Sequence, residues 1–416
     1  MYKQFLKNIS VLVVGTSLAQ SFTILASPIL SRLYTPEQFG QYGTFIVSVG
    51  LLSTIAALSY EMAIVKQSKS SKANQIFQIC LFIAFSTSSV IFLLASMFGF
   101  FIEIPFAILV PIAMLLYAVN NAIYSLLNRY ELYPLLAKAQ ILRSGSIVLL
   151  QVTFGYLSFT YYGLALAAIV AALITFIYGY FQFIAIYKIG RFPSIKTTKI
   201  LLTENIDFAR YGVPQNLMSY VSANSPVFIL SFYFGLAVVG SYFFAMKLVQ
   251  IPANFFGAAI KRVFYRRAEV LKSDVELLLK LYVRMTSLMT IIIVPVMILW
   301  FFNAEKIFPL IFGAGWDSAA TISKWLLIWF GLQFVMAPTR SLFLVFDIQR
   351  NMLIFDTILG FLRLGLLVGL AENLEALEVV KYFAIVSAII SFSFVVGWYF
   401  FLLNKFKLVR KDEKIS

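Results

Sequence analysis

No histidine occurs among the 416 residues, and cysteine occurs once, at Cys80. The first absence removes the commonest metal ligand and the only side chain that titrates unperturbed near neutrality. Zinc chemistry and histidine acid–base catalysis are excluded with it, and no metal or cofactor is expected. The second absence leaves no internal disulfide and no cysteine-ligated cluster. Charge is also scarce, at 12% of residues against about 25% in soluble domains. With 61% of residues apolar, a soluble chain of this length would lack the polar side chains to cover two or three domains. The sequence is that of a membrane protein.

A membrane helix needs about 20 mostly apolar residues to cross about 30 Å of hydrocarbon. Broken at charge clusters and at Gly, Pro and Asn turns, the sequence holds twelve such runs: 9–30, 42–65, 76–98, 104–127, 139–157, 161–187, 208–234, 238–260, 282–302, 320–346, 352–370 and 380–403. The first follows Lys3 and Lys7 but exceeds the 7–15 apolar residues of a signal peptide, so it is read as a retained span. With the N-terminus inside, 26 of the 33 Lys and Arg fall on inside segments, Arg129, Lys138 and Arg143 among them, 4 fall outside and 3 lie within spans. That bias is the positive-inside pattern. It predicts both termini in the cytoplasm and, since the basic loops alternate with spans, no nucleic-acid partner. The longest outside loop, about 303–319, is too short for a folded catalytic module.

The halves repeat weakly at an offset near 200. Ser27-Pro28 answers to Ser225-Pro226, Tyr34 to Tyr233, and Gly40-Gln41-Tyr42 to Gly240-Ser241-Tyr242. Both copies enter from the inside, as in transporters made of two parallel six-helix lobes. The predicted fold class is all-α polytopic: twelve transmembrane helices in two six-helix lobes related by a pseudo-twofold axis along the membrane normal. The predicted segments are an N-terminal lobe (1–190), a cytoplasmic linker (191–207), a C-terminal lobe (208–404) and a basic tail (405–416).

An ionisable group at mid-bilayer costs at least about 2.5–3.5 kcal/mol and is a functional candidate by default. Lys247 stands about nine residues into the eighth span, on one face with Gln250 and Asn254, with Pro252 between. Asp356 and Arg363 share a face of the eleventh span, and Arg340 lies in the inner half of the tenth. The seventh span stacks Asn216, Tyr220 and Asn224. The first stacks Thr16, Gln20, Thr23, Ser27 and Ser31, with Arg32 at its outer end. The fourth adds Asn120, Asn121 and Tyr124. The Ser and Thr positions read as interhelical hydrogen-bonding groups, worth about 0.6 kcal/mol each. Three interior cations, Lys247, Arg340 and Arg363, against two carboxylates, Asp356 and Glu61, point to an anionic cargo, phosphate first. The two carboxylates are also the candidates for coupling to a proton or sodium gradient. Asp356 alternatively serves only to neutralise Arg340 or Arg363, and Glu61 to reach headgroups.

Four stretches carry a family likeness: Ser27-Pro28-Ile29-Leu30-Ser31-Arg32-Leu33-Tyr34-Thr35-Pro36-Glu37-Gln38-Phe39-Gly40; Tyr211-Gly212-Val213-Pro214; Ala245-Met246-Lys247-Leu248 before Pro252; and Phe312-Gly313-Ala314-Gly315-Trp316 with Ala319. In this order they resemble the Wzx-type O-antigen and capsule flippases, the polysaccharide branch of the multidrug/oligosaccharidyl-lipid/polysaccharide exporter superfamily. The resemblance implies a bacterial inner-membrane transporter, not an enzyme. Its partners are then a polyprenyl-diphosphate-linked oligosaccharide, the bilayer, and other polysaccharide assembly proteins. It implies a central cationic cavity, to which Lys247 and Arg32 carry over, and the interior cations Arg363 and Arg340 are expected to line it with them. Gln20, Asn120, Asn216, Asn224, Gln250 and Asn254 are then expected to contact sugar. The rival readings are an ion-coupled multidrug extruder, which favours acidic cavity residues, and a polytopic O-antigen polymerase, which needs a larger outside loop.

Overall fold

The computed structural model describes residues 2–97, 108–272, 274–346 and 348–412, and among them every regular element is a helix. In chain order these are α1 (Tyr2–Leu33), α2 (Pro36–Ala56), α3 (Glu61–Lys66), α4 (Ser70–Met97), α5 (Leu109–Arg129), α6 (Tyr133–Tyr156), α7 (Thr160–Ile186) and α8 (Ile195–Glu204). A π-helical turn, Phe208–Gly212, then leads into α9 (Val213–Phe234), α10 (Leu236–Val270), α11 (Val275–Phe312), α12 (Asp317–Val335), α13 (Ala337–Val345), α14 (Gln349–Ala371) and α15 (Ala376–Asp412). Among the described residues ten helices are long and apolar enough to span a bilayer. With α1, and with α10, whose apolar part is Leu236–Gln250, they make twelve transmembrane helices in two lobes of six.

Local chemistry sets the helix ends. Thr35 caps α2 in a reciprocal box with Gln38, and Pro36 occupies the first turn, where its missing N–H costs nothing. Gly235 and Gly313, at φ +80° and +88°, make the sharp turns before α10 and after α11. Two predicted spans are in fact broken. The second ends at Ala56, and a turn holding Leu58 and Ser59 at φ +50° and +58° separates it from α3. The tenth breaks at Met336, because Pro338 disfavours helix at the residue before it and lacks an N–H for the preceding turn. Pro338 is instead well placed near the start of α13.

Arg143 requires a correction. Counted as a loop charge from sequence, it is the eleventh of the 24 residues of α6. Tyr133-Pro134 starts that helix six residues before the predicted span, which carries Arg143 into its middle.

By contacts the chain forms two compact units, 1–228 and 229–416. In the first, α1 and α6 approach so closely that a Cβ on Gly15 would fall 2.5 Å from Ala137 Cβ. The Tyr34 hydroxyl donates to the Gln151 carbonyl at 2.7 Å and ties the end of α1 to α6. Ile64, Phe77, Ile123, Leu127 and Phe183 pack in the core beside α3. In the second, buried Tyr282 of α11 donates to the Val395 carbonyl at 2.9 Å and meets Thr339 Oγ1 at 2.8 Å. One phenol therefore fixes α11, α13 and α15 together.

Candidate functional site

The C-terminal unit assembles a charged centre from α13 and α14. Its position follows from the helix break: Arg340 is the fourth residue of α13, three beyond Ala337, and Tyr282 holds that short helix through Thr339. Arg340 Nη2 lies 3.4 Å from Asp356 Oδ1. Asp356 and Arg363, seven apart on α14, line one small pocket with Arg340, Met336, Phe355 and Phe394. Phe355 stacks on Phe394 at 4.1 Å, and Phe394 on Phe343 at 5.5 Å, giving the pocket an aromatic wall. The Arg363 guanidinium sits over the Trp329 ring at 5.3 Å, and its Nε is enclosed with no hydrogen-bond partner among the described residues. Lys261 of α10 is within electrostatic reach of Arg340. Two guanidiniums therefore share one carboxylate, which leaves the centre net cationic.

Lys247 and Gln250 are half-buried on α10. Among the described residues no carboxylate pairs with Lys247. The Asn254 side chain lies outside the described residues.

The other predicted positions belong to the N-terminal unit and divide by role. Asn120 is fully buried, and its amide donates to the carbonyls of Leu116 at 2.7 Å and Ala172 at 2.8 Å, so it joins α5 to α7. Asn121, one residue on, is exposed. Asn216 donates to Ser59 Oγ at 3.1 Å, at the turn that ends the second span. Asn224 donates to the Tyr220 carbonyl one turn back. Gln20 is half-buried, and its Oε1 is enclosed without a described partner. Arg32 is exposed at the end of α1 and donates to the Pro28 carbonyl at 2.7 Å. Glu61 begins α3, beyond the broken span, with Oε2 enclosed and unpartnered among the described residues. The Cys80 thiol lies within its electrostatic reach.

A second cationic centre in this unit was not singled out from sequence. The Arg143 guanidinium stacks over the Tyr117 ring at 4.4 Å, with the Tyr124 hydroxyl beside it. Tyr117, Asn121 and Tyr124 fall at i, i+4 and i+7, the face of α5 adjacent to the one that carries Asn120. Tyr42 is within electrostatic reach of both Arg143 and Tyr117, and Tyr220 of Tyr117. Gly50 makes room for Tyr220, since a Cβ there would stand 1.9 Å from its hydroxyl oxygen. The signal was present in Tyr133-Pro134, a helix start that puts Arg143 mid-helix.

Known proteins converge on the same description. The chain is 22% identical over 365 residues to the lipopolysaccharide biosynthesis protein WzxC of Escherichia coli (strain K12), covering 84% of this chain and 71% of that one. It is 23% identical over 301 residues to the succinoglycan biosynthesis transport protein ExoT of Rhizobium meliloti (strain 1021), covering 70% of this chain and 59% of that one. The fold matches the inward-facing structure of a multidrug resistance MATE family transporter of the MOP superfamily, with a TM-score of 0.71, 17% identity, and coverage of 92% and 96% of the two chains. The model of the family described as "Polysaccharide biosynthesis protein" matches residues 29–321. A polytopic helical membrane protein with cationic centres within its spans, this chain is a member of that family.

Proposed function

We propose that the chain is a flippase. It moves polyprenyl-diphosphate-linked oligosaccharide units of O-antigen or capsule type from the cytoplasmic to the outer face of the bacterial inner membrane, by alternating access between its lobes. The observation that carries this reading is the set of incompletely neutralised cations within membrane helices, Lys247 and the Arg340–Asp356–Arg363 centre. An anionic headgroup crosses hydrocarbon only inside a polar path, because burying unpartnered polar groups there costs several kcal/mol each. Lys and Arg offer the diphosphate a point charge and a two-pronged donor respectively. Gln20, Asn121, Asn216 and Gln250, each half-buried or exposed, have the chemistry to exchange hydrogen bonds with sugar hydroxyls. The excess of Lys and Arg on alternate segments supports cytoplasmic termini. Asp356 and Glu61 are the carboxylates available for ion coupling. The transport named for the succinoglycan relative supports a carrier over an enzyme.

Deletion in the source strain tests this reading. The expected result is intracellular accumulation of a lipid-linked saccharide, reversed by the wild-type gene and not by an expressed Lys247→Ala variant. Retained export in Lys247→Ala removes Lys247 from the mechanism. Rising drug sensitivity with no accumulated saccharide replaces the flippase with a multidrug extruder.

A further inference from the structure

Each half of the chain builds the same small constellation from equivalent spans. In the N-terminal unit Arg143, on the fifth span, stacks at 4.4 Å on Tyr117 of the fourth, and Tyr42 of the second stands within electrostatic reach. In the C-terminal unit Arg363, on the eleventh span, stacks at 5.3 Å on Trp329 of the tenth, and Tyr242 of the eighth stands within reach. In a six-plus-six chain the second, fourth and fifth spans correspond to the eighth, tenth and eleventh. Tyr42 and Tyr242 are also the pair that the sequence repeat aligns. Three matching residue types on three matching helices mark one motif carried twice.

The two copies differ in the groups that surround the arginine. The C-terminal copy contains its own anion, Asp356, on the same helix face as Arg363 and 3.4 Å from Arg340. Among the described residues no carboxylate accompanies Arg143; its neighbours are the neutral phenols of Tyr117 and Tyr124. A guanidinium inside a membrane helix is costly and normally faces a partner or a cavity. Asp356 shows what kind of partner this motif accepts. We infer that Arg143, Tyr117 and Tyr124, beside Tyr42, form a binding subsite for an oxyanion of the cargo, where the C-terminal copy keeps Asp356 paired with Arg340 and within electrostatic reach of Arg363. The planar fork of Arg143 presents paired N–H donors to two oxygens, the phenols of Tyr117 and Tyr124 add O–H donors, Tyr42 is held beside them by its hydrogen bond to Gln151, and the Tyr117 face backs the guanidinium. The subsite rests on the flippase reading for the identity of its cargo. Its oxyanion has two chemical sources there, the lipid diphosphate and a carboxylate borne by a sugar.

The test is calorimetric binding to the purified full-length chain in lipid nanodiscs, with three probes: farnesyl diphosphate, a glucuronic-acid-terminated disaccharide, and its neutral glucose counterpart. Arg143→Gln is expected to weaken at least one acidic probe about tenfold or more, the scale of one charge-assisted contact, and to leave the neutral disaccharide unchanged. The acidic probe that responds identifies the source. Arg143→Lys, which keeps the charge and loses the fork, is expected to fall between Arg143→Gln and wild type. Asp356→Asn empties the second copy and is expected to strengthen acidic-probe binding. That arm decides the matter should Arg143→Gln not fold. The inference is overturned by wild-type affinities for both acidic probes in the Arg143 variants, by equal losses for the neutral disaccharide, or by no gain in Asp356→Asn. Saccharide accumulation in the deletion strain alongside unaffected Arg143 variants removes this subsite and leaves the flippase. Arg143-dependent binding without accumulation does the reverse.

Discussion

The two arginine centres solve one physical problem in opposite ways. Around Arg363 the chain supplies a carboxylate and a second guanidinium, so one charge is neutralised internally and the pocket keeps a residual positive charge. Around Arg143 it supplies only phenols. A centre with a built-in counter-ion is stabilised at rest, and any ligand must compete with Asp356. A centre without one is costly at rest and gains most when a ligand arrives. Equivalent positions in a duplicated fold therefore keep the same net charge, one beside a counter-ion and the other beside phenols alone.

Transport is where the contrast is largest. Arg143→Gln is expected to slow export about a hundredfold, since hydrogen bonds to charged groups contribute roughly 1.5–3 kcal/mol. Arg363→Gln is expected to slow it less, because Arg340 keeps a guanidinium in that pocket. The measurement is the rate at which lipid-linked saccharide reaches the outer leaflet in the complemented deletion strain, and a larger loss for Arg363→Gln inverts the comparison.

Tyr282→Phe probes the support of one centre alone. It leaves Thr339 and the Val395 carbonyl short of a partner in a buried site, at about 1–3 kcal/mol. Thermal unfolding in detergent is expected to shift down by about 1–3 °C, while acidic-probe affinity at Arg143 stays at the wild-type value.

Removal of a counter-ion separates the centres by sign. Asp356→Asn breaks a half-exposed pair worth up to about 1 kcal/mol, which lowers the midpoint by roughly 1 °C in a chain this long. Added pyrophosphate is expected to restore it by binding the freed guanidiniums. Arg143→Gln loses a cation–π contact but also an unneutralised charge, two effects of opposite sign, so its midpoint is expected to move less. A larger fall for Arg143→Gln shows that its charge is compensated after all.

The smallest effect distinguishes neighbours on α5. Asn120→Leu removes the bridge to Ala172 and is expected to cost about 0.6 kcal/mol in thermal unfolding, near the average for membrane interhelical bonds. Asn121→Leu is expected to leave unfolding unchanged and to weaken only the binding of saccharide probes.

Much of this was legible in the chain. Apolar runs of 20 residues identify spans because an unpaired backbone has no alternative in hydrocarbon, and all twelve helices lie where those runs lie. Asp356 and Arg363 were visible as one face, since helical periodicity puts residues seven apart together. What failed had a physical reason in each case. The break at Met336 depends on Pro338 inside an otherwise uninterrupted apolar run, where the hydropathy signal overrides the proline. Arg143 was lost because charge counting assigns any basic residue near a span end to a loop, and only the Tyr133-Pro134 helix start corrects it. Asn120 and Asn121 look alike in sequence, and one helical step of about 100° decides which holds helices together and which faces open space.

The long helices α10 and α11 have a further consequence. At 38 residues α11 measures about 57 Å, nearly twice the roughly 30 Å of hydrocarbon. Against the apolar run 282–302 the excess divides between its ends: seven residues, about 10 Å, precede the run and carry Lys280, and ten, about 15 Å, follow it. The shorter of these overhangs is close to the roughly 8 Å over which salt screens a charge at physiological ionic strength. The basic residues that close α10 and open α11, Arg266, Arg267 and Lys280 among them, therefore stay within electrical reach of a headgroup layer.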